Sequence, residues 1–231
     1  MRQLRQGRLE LGGEIMRGIA AVATLMLLTA GADAGAQNGT EHAEFWPELQ
    51  FRYRIDDANS ATLVSRLRLT PGPAQMYRAE ETLTFSHTFA DWLSGGAGFE
   101  HRNSTNATPF EEERAIVNQT LRIGLPNDFR VEFRTQEEFR WLLTGFSVRL
   151  RERVQVLRTV RMESYSFTPY VSTEVFYDSR FGSFARYRLT AGATLPVYHP
   201  LSAQPYFMRE VNFEGSDIIR DVFGLALIIS F

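Results

Sequence analysis

Cysteine and lysine are both missing from this 231-residue chain. The first absence excludes disulfide frameworks, zinc–thiolate clusters and thiol catalysis, so the fold holds without staples. The second makes all 25 basic residues arginine, each a planar fork suited to bidentate pairing with carboxylates. Braced ion pairs and a bias of genome composition both account for that choice. An excess of one charge is lacking too: the formal net charge is −2, which calls for no nucleic-acid partner.

A helix able to span a bilayer is also absent. The apolar run Ile19 to Leu28 is too short. It follows Arg2, Arg5, Arg8 and Arg17 and precedes the small residues Ala34, Gly35 and Ala36, which reads as a signal peptide over residues 1–36 cleaved before Gln37. Translation from Met16 leaves a more ordinary signal length than translation from Met1. Residues 37–44 are then expected as a short tail, and 45–231 as one domain without a linker.

From residue 45 onward apolar residues recur at every second position, the period of strands. Eleven segments show it, from EFWPELQFRYRI to DIIRDVFGLALIISF. Between them the brief PND and PVYHP turns alternate with polar stretches near 102–113, 138–145 and 177–184 that read as longer loops. The expected fold class is all-β: a closed antiparallel transmembrane β-barrel of 10 to 12 strands with short periplasmic turns and longer outer loops. Even parity makes eleven suspect. Either Phe45 to Ile55 is not a full crossing, or a twelfth strand is hidden.

A soluble barrel shares the period of two, and three features favour lipid on the apolar side. Phe223, Leu225, Leu227, Ile229 and Phe231 alternate to an aromatic carboxyl terminus, which resembles the terminal insertion signal of outer-membrane barrels. Phe85, Trp92, Phe129 and Phe231 collect toward one set of turns, and Phe99, Trp141, Tyr177 and Tyr187 toward the other, as interfacial aromatics do. An arginine facing lipid costs roughly 2–4 kcal/mol at the midplane, so the arginine face belongs inside. Glu81 and Glu152 fall on the lipid-facing set, and a β-bulge is one account of them.

EERAIVNQTL, FRVEFR, STEVFY and RYRLTAG are similar to stretches of a bacterial outer-membrane family known only as domain of unknown function 2490. The resemblance implies a fold and a location but no mechanism.

On the inward faces 17 arginines meet seven glutamates, an excess of about ten charges. A basic lumen attracts anions. The candidate lumen residues are Arg130, Glu132, Arg134, Arg149, Arg151, Arg153, Glu174, Arg186 and Arg188, with Arg149, Arg151 and Arg153 beside Arg130 and Arg134 as the selecting wall. Two readings remain: an anion-preferring channel, and a barrel filled by its own braced side chains. The expected partners are outer-membrane lipid, the barrel-assembly machinery and small anionic solutes. No cofactor, metal or enzymatic activity is expected. The alternatives are a barrel hydrolase using His101 and a soluble periplasmic binding protein. The acid run Glu111, Glu112 and Glu113 reads as a solvated outer loop.

Overall fold

The computed structural model describes residues 40–70, 75–104, 111–213 and 218–231. The signal segment expected over 1–36 lies outside them. In chain order the strands are β1 (Thr40–Arg54), β2 (Asn59–Thr70), β3 (Gln75–Ala90), β4 (Leu93–Ser104), β5 (Glu111–Leu125), β6 (Phe129–Leu142), β7 (Gly145–Arg158), the two-residue β8 (Val160–Arg161), β9 (Ser166–Asp178), β10 (Ser183–Tyr198), β11 (Leu201–Asn212) and β12 (Ile218–Ser230).

Eleven long strands close into one barrel, and β8 only pairs with the start of β9. Neighbours in sequence pair antiparallel, but the closing pair β1 and β12 runs parallel, from Thr40 opposite Ile218 to Arg52 opposite Ser230. This corrects the parity argument. An up-and-down chain reverses direction at each turn, so an odd number of strands brings first and last together pointing the same way. The segment from Phe45 is a full strand, and it begins earlier than expected: residues 40–44 are not a tail but part of the seam with β12.

The expected loops near 138–145 and 177–184 are strand for most of their length. Only residues 143–144 separate β6 from β7, and only 179–182 separate β9 from β10. Polarity there signals inward-facing side chains, not exposure to water. The rim that holds Thr40 and the rim that holds Phe231 serve below to name the two ends. At the second, the Phe231 amide donates to the Arg52 carbonyl at 2.9 Å, extending the seam to the last residue.

Most charged side chains of the long strands face inside, with Glu81, Glu113, Glu152 and the Arg209–Asp221 pair among the outward exceptions. Glu80, Glu138 and Glu210 are buried, whereas Phe51, Leu63, Leu83, Phe99, Phe133, Leu189 and Phe223 are exposed on the outer wall. A distinctive inward row crosses five strands in register: Tyr170, Gly192, Tyr206, Gly224, Trp46. The Tyr206 ring lies flat over Gly224, where an added Cβ would sit 1.9 Å from a ring carbon. Glycine is required there because the ring occupies the space a side chain would need. Trp46, Met208 and Val222 pack beside it as the apolar part of the lumen.

Candidate functional site

Inward arginines and carboxylates join into a circuit that visits all eleven long strands. Asp178 on β9 accepts from Arg140 of β6 at 2.8 Å, and Arg140 also bonds Glu112 of β5. Glu112 accepts from Arg114 at 2.7 Å, which reaches Glu138 of β6 at 3.0 Å and Glu100 of β4 at 3.1 Å. One arm continues from Glu100 through Arg102 to Glu80 of β3, then to Arg68 at 2.6 Å and Arg66 at 3.3 Å on β2. Arg66 ends on Glu48 of β1. The other arm leaves Glu138 through Arg149 and Arg151 of β7, passes Glu174, and reaches Arg188 of β10 at 3.5 Å. From Arg188 it runs to Glu210 of β11 at 2.6 Å, Arg220 of β12 at 2.7 Å and Glu44 of β1 at 3.3 Å.

Trp46 closes the two arms. Its indole N–H donates to Glu44 at 2.7 Å, while Arg68 lies 3.9 Å and Arg188 5.7 Å from its ring. Phe176 plays a similar part on β9, with Arg149, Arg151, Arg186 and Arg188 all within 4.7 to 5.5 Å of its ring centre. Cations over an aromatic face are held by its quadrupole. The rings thereby fill the lumen between guanidinium planes.

The nine expected lumen residues divide into two groups. Arg149, Arg151, Glu174, Arg186 and Arg188 belong to the circuit; Arg186 bonds Asn212 and reaches Glu210 at 3.4 Å. Arg130, Glu132, Arg134 and Arg153 lie toward the Phe231 rim, where carboxylates are scarce. Glu132 is shared by Arg130 at 2.9 Å and Arg122 at 3.7 Å. Arg134 reaches Glu174 at 3.5 Å. Among the described residues no carboxylate stands within ion-pair distance of Arg153. Arg130 is the most exposed of the nine at 48%, whereas Arg134 at 26% is comparable to Arg186 at 21%, and Arg114 and Arg140 of the circuit are 1% and 4% exposed. On the wall from β5 to β9 the lumen is closed toward the Thr40 rim by Arg140, Glu112 and Asp178, whereas Arg78 and Arg220 near that rim are 27% and 24% exposed.

Sequence reasoning missed Glu44, Glu112 and Asp178, all buried, and they lower the basic excess by three. The acid run is therefore not a solvated loop. It opens β5, where Glu112 points inward and Glu113 outward to His101, Oε1 2.6 Å from Nδ1. The signal was available, since Glu112 continues the parity of Arg114, and Phe176 and Asp178 that of Glu174. Among the described residues no group of three His, Asp or Glu side chains is placed to hold a metal.

On the outer wall, Glu81 and Glu152 keep their outward places with the register unbroken around them, so no bulge explains them. Each carboxylate is met by a hydroxyl on the adjacent strand, Ser65 at 2.6 Å and Thr135 at 2.9 Å. Glu81 stands in register with both Ser65 and His101. The Ser65 hydroxyl is turned to Glu81, on the strand that lies between Ser65 and His101.

The family model described as "Protein of unknown function (DUF2490)" matches residues 43–218. The chain belongs to that family. Its matched span covers nearly all of the barrel from early β1 to the start of β12, and so includes the circuit except for Arg220. None of the curated proteins matches. Among solved structures the chain is similar to LpxR from Salmonella typhimurium, at 9% identity and a TM-score of 0.48, over 74% of this chain and 83% of that one.

Proposed function

We propose that this family member is an outer-membrane β-barrel whose lumen is closed by its own ion-paired side chains, with a structural rather than a conducting role. The observation that carries it is the circuit itself. Glu80, Glu138 and Glu210 are each 1% exposed or less and each binds arginines from more than one strand. A solute crossing the lumen would have to break charge pairs in a low-dielectric interior, where an orphaned charge costs several kcal/mol.

The membrane part rests on the outer wall. Apolar side chains from β1 to β12 are exposed around the barrel, far beyond the few hundred Å² of contiguous apolar surface that a soluble monomer tolerates. Strands of 12 to 16 residues exceed the roughly 9–11 that a bilayer crossing needs. No catalytic role is assigned, because His101 has Glu113 for a partner and, among the described residues, no hydroxyl nucleophile bonded to it. Insertion through the assembly machinery and exclusion of nucleic acid belong to the same reading.

The test is electrical. Purified barrel, shown to be folded by a shift in apparent size on a denaturing gel before and after boiling, is added to a planar bilayer. Insertion without discrete conductance is expected, and reproducible anion-preferring steps would overturn the closed lumen. An esterase or protease activity lost in His101→Ala would overturn the non-catalytic part.

A further inference from the structure

Arg134 on β6 and Arg153 on β7 are cross-strand partners. Like charges directly opposite one another in a sheet repel, and such pairs are destabilising unless something sits between them. The nearest carboxylate is Glu174, which lies in register opposite Arg153 and 3.5 Å from Arg134 but forms no ion pair with Arg153. The Nε of each is buried and without a hydrogen-bond partner. Arg153 has no carboxylate within ion-pair distance among the described residues. The Glu174 carboxylate that Arg134 reaches at 3.5 Å is already held by Arg151 at 2.9 Å and by Arg188 at 3.5 Å. The other acid on this wall, Glu132, is occupied by Arg130 and Arg122.

Arg122, Arg130, Arg134 and Arg153 therefore have between them only Glu132 and a share of Glu174, which Arg151 and Arg188 also hold. Hydrogen-bonding side chains flank them in register: Thr120 lies opposite Arg134, and Gln155 lies opposite Glu132 and Ser172. A guanidinium presents parallel N–H donors that match two oxygens of a phosphate or carboxylate. Two such forks on adjacent strands converge on a single tetrahedral anion better than on chloride, which accepts from no fixed direction.

We propose that Arg134 and Arg153 form a binding site for a phosphate-bearing anion, entered from the Phe231 rim and blind toward the Thr40 rim. The site goes beyond the closed-lumen reading and requires no passage through the barrel. The ligand is a free phosphate ion or the phosphomonoester of a small solute, since both present the same oxygens to the forks.

The test uses the folded full-length barrel in detergent, titrated calorimetrically with inorganic phosphate or with glycerol 3-phosphate, at ionic strength held constant with sodium chloride. Saturable binding of at least one is expected, and the tighter of the two identifies the source. Arg134→Gln and Arg153→Gln should each weaken binding about tenfold or more, the loss expected for a charge-assisted pair. Arg161→Gln, an exposed partner of Asp128 on the turns, should leave it unchanged. Arg153→Lys keeps the charge without the fork, so it guards against loss of folding and should also bind more weakly. No saturable binding of either probe, or undiminished binding by the Arg134→Gln/Arg153→Gln double variant, would overturn the site. Conductance with phosphate binding intact would overturn only the closed lumen.

Discussion

Glu138 and Arg149 face each other in register on β6 and β7, with Nε 2.9 Å from Oε2 and none of the carboxylate residue exposed. The same carboxyl group accepts from Arg114 and Arg151. Glu138→Ala leaves three guanidiniums facing one another around an empty centre. Breaking one buried pair typically costs about 3–5 kcal/mol. The variant should unfold from lipid vesicles at a clearly lower urea midpoint, and a midpoint equal to the parent's would contradict the hub.

Arginines adjacent in sequence should respond in opposite senses. Arg149→Gln and Arg151→Gln each leave Glu138 undercompensated and should lower stability. Arg153→Gln relieves repulsion with Arg134, so in phosphate-free buffer it should hold the parent's midpoint or exceed it. Equal losses for all three would show that Arg153 is paired after all.

Gly224 is fixed by the Tyr206 ring lying against it. Gly224→Val displaces that ring from its place in the lumen, and overpacking of this kind costs about 1–3 kcal/mol. Pairing it with Tyr206→Ala should restore part of the loss, which a double-mutant cycle measures. Full additivity would mean that the two do not touch.

Glu152 separates a lipid-facing wall from a water-facing one. If the outer wall faces lipid as proposed, replacing it with leucine removes a carboxylate from hydrocarbon, a gain below the roughly 2–4 kcal/mol for arginine at the midplane. Glu152→Leu should therefore refold into vesicles with a raised urea midpoint. A drop would indicate that the wall is solvated or covered by a polar partner.

Asp56, in the turn after β1, accepts from the amides of Ala58 and Asn59 at 2.8 Å each and from the Asn59 side chain at 2.9 Å. The Asn59 side-chain bond first, then the two backbone bonds, hold its carboxyl below the usual value. Its contribution is therefore complete above the ordinary carboxylate range and fades as pH falls through the lowered folded value. Asp56→Ala should loosen the turn, read by amide exchange at neutral pH, and the difference from the parent should disappear in strong acid.

The eleven long strands and their facing were legible because facing is local: Arg66 and Arg68 share a side by virtue of spacing alone. Composition misled where local polarity stood for exposure. Glu112 sat in an acid run and Asp178 beside a turn, although parity tied each to an inward neighbour. Trp46 and Phe176 were equally readable from the parity of Glu48 and Glu174, but inward aromatics ran against the expectation of a polar lumen. Which arginine meets which carboxylate was not readable. Even register does not decide it: Arg153 lies in register between Arg134 and Glu174, yet it is Arg151, two residues away, that bonds the Glu174 carboxylate.

The parallel seam between β1 and β12 has a consequence for orientation. A bilayer that encircles this barrel places Thr40 and Phe231 in different aqueous compartments. An epitope fused just ahead of β1 and another fused after Phe231 would be stained from opposite sides of an intact cell envelope, whereas an even-stranded barrel would show both on the same side.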